Sequence, residues 1–71
     1  MKIVQLEYFC AVSQCHSITQ AAQKLYVTQP AISNAIKELE KEFSVSLFVR
    51  SKNHMTLTTE GELFYQKASE L

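Results

Sequence analysis

Glycine and proline are almost missing from this chain, one of each in 71 residues. That leaves little room for long loops and points to elements joined by tight turns. No apolar run approaches the roughly 20 residues needed to span a bilayer, so no membrane association is expected. The opening Met1-Lys2-Ile3-Val4 is interrupted by Gln5, Glu7 and Gln14, which argues against a signal-peptide core and for a cytoplasmic protein. There are only two cysteines, Cys10 and Cys15. Five positions apart on a helix they point to different faces, so they are expected to remain free thiols in a reducing compartment. Cys15-His16 lacks a second ligand pair at zinc-site spacing, so no metal is expected. The chain is too short to wrap a core around an enclosed substrate cavity of ordinary size. It also offers no nucleophile–base pair, and His16 and His54 have no partners at useful spacing. An enzyme is therefore not expected, nor is a cofactor in this domain.

A surplus of positive charge is lacking too: seven Lys and Arg balance seven acids. The distribution is more informative than the sum. No Asp or Glu occurs from Tyr8 through Lys37; the acids are Glu7, Glu38, Glu40, Glu42, Glu60, Glu62 and Glu70. An acid-free middle permits a face that does not repel phosphate.

What the chain does contain is helix-forming sequence, rich in Leu, Ala, Glu, Lys and Gln. Ile3, Leu6, Phe9, Cys10 and Ser13 recur at helical spacing and predict a first amphipathic helix over Ile3 to Gln14. Ser17-Ile18-Thr19-Gln20 matches a capping box and opens a short second helix through Ala21, Ala22 and Leu25 to about Tyr26. The two alanines are small enough for another helix to approach closely. Thr28 is a further cap, followed by Pro30 in a first turn, where its missing N–H is harmless. Ile32, Ala35, Ile36 and Leu39 carry a third helix to about Lys41. Val45 to Val49 reads as a strand, Arg50 to Met55 as a polar turn segment and Thr56 to Thr58 as the return strand. Thr58 or Thr59 then caps a last helix, with Leu63, Phe64, Ala68 and Leu71 turned inward. The expected core is Leu6, Phe9, Leu25, Ile36, Leu39, Leu47 and Phe48.

This order is that of a mainly α winged helix-turn-helix: a three-helix core, a β-hairpin wing and the start of a linker helix. Second and third helices joined by a tight turn can place the third in a major groove, N-terminus inward. With Ile32, Ala35, Ile36 and Leu39 facing the core, Gln29, Ser33 and Lys37 share another face, with Asn34 beside them. Gln and Asn can pair bidentately with adenine, and Ser can meet either a base or a phosphate.

The chain resembles the N-terminal domain of LysR-type bacterial transcriptional regulators. The resemblance rests on Phe9-Cys10-Ala11-Val12, Ser17 to Leu25 (SITQAAQKL), Val27 to Glu40 (VTQPAISNAIKELE), Leu47-Phe48-Val49-Arg50, Leu57-Thr58 and Glu60-Gly61. It implies that Gln29, Pro30, Ser33 and Asn34 face base edges. It places Ser17, Thr19 and Thr28 near phosphates and Arg50 at the start of the wing; Arg50 and, from its charge on the α3 face, Lys37 are expected on the DNA backbone. Lys52 and Asn53 would be the wing contacts. Residues 1–58 would form the DNA-binding domain, and residues 59–71 would begin a linker helix, with Leu63, Phe64 and Leu71 on the dimer side. The resemblance further implies a homodimer on a pseudo-palindromic promoter site and higher oligomers at full length. A small-molecule effector would bind only in a C-terminal domain beyond these residues. Four positions depart from the family's pattern. Asn34 stands where Arg is very frequent, Ser44 where Gly is frequent, and the wing carries Lys52 and His54 in place of several arginines. The alternative reading is a winged helix used as a protein–protein interaction module, which the zero net charge would suit.

Overall fold

The computed structural model describes residues 1–51 and 54–70. The elements run α1 (Ile3–Cys15), α2 (Ile18–Leu25), α3 (Gln29–Phe43), β1 (Phe48–Ser51), β2 (His54–Leu57) and α4 (Thr59–Ser69). The helix starts obey local side-chain chemistry. Ser17 Oγ accepts the Gln20 N–H at 3.2 Å, Thr28 Oγ1 that of Ala31 at 3.3 Å and Thr58 Oγ1 that of Gly61 at 2.9 Å. Each satisfies a donor that the first helical turn leaves unpaired. At Ser17 only this half of the capping box forms. A side chain reaching back to the cap backbone is found instead at α1, where Lys2 N–H donates to Gln5 Oε1 at 2.9 Å.

α1 packs against α2, α3 and α4, and α2 packs against α3. Phe9 is the hub, fully buried. Its ring lies 5.3 Å from that of Phe48, and 5.1 Å from that of Phe64 in an edge-to-face arrangement. Such pairs add about 0.5–1.5 kcal/mol each beyond their burial. Around Phe9 sit Val12, Ala21, Ala22, Ile32, Ile36, Leu39, Leu47 and Met55. Ala21 and Ala22 let α2 lie close to its neighbours, as their size suggests. Leu6 and Leu25, expected in the core, are only half-buried.

The hairpin is antiparallel and pairs Phe48 with Leu57 and Ser51 with His54. The first strand thus begins three residues later than Val45, and the second starts at His54 and ends before Thr58. The physical reason lies at Leu47. Its N–H donates to Glu40 Oε2 at 2.8 Å, and its carbonyl accepts from Thr58 N–H at 3.1 Å. The bond from Thr58 keeps the hairpin's register, but the Leu47 N–H is diverted to Glu40, so the reciprocal ladder bond that would extend β1 is not made. Gly61 fits against the same place. A Cβ there would stand 2.1 Å from the Leu47 carbonyl oxygen, so only glycine lets α4 come this close.

α4 departs from the expected orientation in one respect. Phe64 and Tyr65 pack on the core, whereas Leu63 points outward and is 61% exposed. On a helix, adjacent residues lie on different faces, so docking Phe64 against Phe9 and Phe43 turns Leu63 away. Leu71 lies outside the described residues.

Candidate nucleic-acid interface

α3 divides along its circumference. Ile32, Ala35, Ile36 and Leu39 are buried, while Gln29, Pro30, Asn34 and Lys37 are exposed and Ser33 is half-buried. The helical period puts Gln29, Ser33 and Lys37 one turn apart in succession, and Pro30 one turn before Asn34. None of the side chains of Gln29, Ser33, Asn34 or Lys37 makes a hydrogen bond to another described residue. A row of amide, hydroxyl and ammonium groups is thus presented to the surroundings at the N-terminal half of a capped helix. That end carries the positive pole of the helix dipole.

A second group assembles beside the hairpin. Ser17, Ile18 and Thr19 at the start of α2 meet Arg50 and Ser51 of β1 and His54 and Met55 of β2 around a shallow cleft of about 210 Å³. The sequence separates Ser17 from Arg50 by more than thirty positions, and the fold makes them walls of one depression. Among the described residues of this lining Arg50 carries the guanidinium and none is a carboxylate. The cleft therefore offers a guanidinium, hydroxyls and the N-terminus of α2, a combination suited to an anionic oxygen. Thr28 sits apart from the cleft, at the α3 cap. Lys24 is tied back, its Nζ donating to Gln14 Oε1 at 3.2 Å. Lys52 and Asn53, expected at the wing tip, lie outside the described residues.

The hairpin is fixed to the rest of the site by histidines that look solitary in the sequence. His16 and His54 stack with ring centroids 5.1 Å apart and planes within 10°. Met55 N–H donates to the His16 carbonyl at 3.0 Å, and His16 Nδ1 lies 3.2 Å from the Met55 carbonyl. A carbonyl oxygen only accepts, so Nδ1 is the protonated nitrogen in that bond. Their role in the fold is structural, between segments 38 positions apart. They join the α1–α2 turn to β2, a contact between distant segments that no local spacing announces. Among the described residues no group of three or more His, Cys, Asp or Glu is placed to hold a metal ion.

The residues expected on the dimer side separate. Phe64 belongs to the core contacts of α4, and Leu63 is exposed. Around the open end of α1, Ile3 is 77% exposed, and Ile3, Leu6, Glu7, Cys10 and Ala68 line an apolar groove. Desolvation raises the pKa of the Cys10 thiol above its ordinary value. Cys10 and Cys15 are both free.

Comparison with known proteins agrees closely with this geometry. Residues 3–62 match the family model of the "bacterial regulatory helix-turn-helix protein, lysR family". The chain is 47% identical over its whole length to the HTH-type transcriptional regulator BsdA of Bacillus subtilis, covering 25% of that protein. It is 44% identical over 96% of its length to the Hca operon transcriptional activator HcaR of Escherichia coli, covering 23% of it. The chain thus spans about a quarter of the length of these curated relatives. Among solved structures, the BenM DNA-binding domain with benA site 1 DNA superposes with a TM-score of 0.93 at 40% identity, covering 99% of this chain and 81% of that one. The CbnR DNA-binding domain in complex with DNA gives 0.95 at 36% identity, covering 99% and 80%. No described helix is long and apolar enough to cross a membrane.

Proposed function

Since the chain belongs to the LysR family of bacterial regulatory helix-turn-helix proteins, we propose that it binds duplex DNA sequence-specifically as the N-terminal domain of a transcriptional regulator. The observation that carries this reading is the unengaged polar row at the start of α3, flanked by a cationic cleft between α2 and the hairpin. α3 enters the major groove by its N-terminus. Gln29, Ser33 and Asn34 hydrogen-bond base edges, and Pro30 makes close van der Waals contact. Ser17, Thr19 and Arg50 hold one phosphate region, and Thr28 and Lys37 hold others. Lys52 and Asn53 are assigned further contacts to the DNA. The domain does no chemistry and needs no cofactor; an effector binds in a further domain of the longer regulator. Two copies pair through α4 and its continuation in that regulator, with Leu63 on the outer face, and read a pseudo-palindrome. Residues 59–71 then serve as linker while Phe64 and Tyr65 anchor them to residues 1–58. The protein works in the cytoplasm, where its DNA is.

Selection of bound duplexes from a random pool tests the reading. A recovered pseudo-palindromic motif is expected, with log K falling linearly against log salt at a slope set by a handful of phosphate contacts per subunit. No enrichment, together with no binding at low salt, would overturn it in favour of the protein-interaction reading that zero net charge suits.

A further inference from the structure

Three helices of this chain end in the left-handed region on a residue that is not glycine: His16 at φ 57°, Tyr26 at φ 57° and Ser44 at φ 53°. That region is disfavoured for side chains bearing a Cβ, and most of all for bulky ones. His16 has compensation, since its ring stacks on His54 and bonds to Met55. Ser44 is small. Tyr26 has the largest side chain of the three and stands 93% exposed. It makes no side-chain hydrogen bond and no aromatic contact with another described residue. The fold thus gains nothing from this ring and carries a backbone conformation that glycine or asparagine would adopt more readily. A strained, exposed, uncompensated aromatic residue is a sign of a role outside the fold.

Its position indicates which role. The turn is closed by Val27 N–H donating to the Ala22 carbonyl at 3.0 Å, and Tyr26 precedes the α3 cap Thr28 by two residues. Tyr26 therefore flanks the end of α3 assigned to the groove. A major groove about 12 Å wide is nearly filled by a helix of about 10–12 Å with its side chains, so a residue on the flank of the entering end meets the rim, where the phosphates are. Resting on the DNA-binding reading above, we propose that Tyr26 is a DNA-contact residue whose phenol O–H donates to a backbone phosphate at the edge of the groove occupied by α3.

This contact has a signature that a lysine or arginine contact lacks. A neutral donor strengthens binding to any sequence equally, because phosphates carry no base identity, and it displaces no counterion, so it leaves the salt slope unchanged. The test uses Tyr26→Phe and Tyr26→Asn, measured against the selected duplex and a scrambled one at several salt concentrations, alongside thermal unfolding. Tyr26→Phe is expected to weaken binding about tenfold on both duplexes with the slope intact. Tyr26→Asn is expected to weaken it at least as much while raising the melting temperature by about 4 °C, so that lost affinity cannot be ascribed to lost folding. Wild-type affinity in both variants would overturn the assignment. So would a loss confined to the selected duplex, which would make Tyr26 a base contact. Failure of the underlying reading is seen separately, in a wild-type protein that binds neither duplex, and it removes this inference as well.

Discussion

The two halves of α3 have similar backbones and opposite uses of their polar side chains. In the C-terminal half each acid is engaged. Glu38 accepts from buried Gln5 Nε2 at 2.7 Å, Glu40 accepts the Leu47 N–H, and Glu42 pairs with the N-terminal ammonium at 2.8 Å. In the N-terminal half Gln29, Ser33 and Asn34 have no hydrogen-bonded partner among the described residues. The polar groups of α3 that hold the fold are acidic and meet donors within the chain; Gln29, Ser33, Asn34 and the cationic Lys37 meet no hydrogen-bonding partner among the described residues. The division also lets a chain of zero net charge keep carboxylates away from the N-terminal end of α3. The carboxylates are neutralised or hydrogen-bonded at the far end of the helix, so they leave the reading end free of repulsion.

Substitutions that separate holding from reading sharpen this contrast. The largest effect is expected where the strand root that Glu40 holds meets α4. Gly61→Ala drives a methyl into the Leu47 carbonyl and should cost about 3 kcal/mol or more, seen as a collapse of the urea midpoint or failure to fold. Glu40→Ala strands the Leu47 N–H and should lower unfolding free energy by about 2 kcal/mol, with Glu40→Gln recovering part of the loss because an acceptor remains. Gln29→Ala should leave the urea midpoint within about 0.5 kcal/mol of wild type and cost about 1–3 kcal/mol of affinity for the selected duplex, with little change on scrambled DNA. An equal loss on both duplexes would move Gln29 from base to backbone contact. The smallest effect belongs to Glu42→Gln. That ion pair is solvent-exposed on both sides, and chemical denaturation should register less than about 0.5 kcal/mol. A large loss there would erase the gradient from Glu40 outward.

What is legible in the sequence is what short-range chemistry decides. The caps Ser17, Thr28 and Thr58 are readable because each side chain serves a backbone N–H three residues ahead. The polar face of α3 is readable because its apolar period fixes what remains. The hairpin boundaries are not, because the Leu47 N–H is taken by the Glu40 side chain, seven positions earlier, in place of a ladder partner. Gln5 gives no sign of burial; its amide is accommodated only because Lys2 and Glu38 supply a donor and an acceptor. The His16–His54 stack and the outward turn of Leu63 likewise depend on packing between distant segments. Tyr26 is silent in the sequence since its significance lies in a backbone angle, which residue identity does not reveal.

The node around Thr58 has a mechanical consequence. Its Oγ1 accepts from Gly61 N–H and donates to the Ser46 carbonyl at 2.6 Å, while its N–H donates to the Leu47 carbonyl. Three bonds through one residue stitch the root of the hairpin to the first turn of α4, and Glu40 clamps the same strand root to α3. No free hinge separates these parts. A torque applied to α4 about its axis is delivered to the hairpin root and the distal end of α3 together, as a crank turns its shaft.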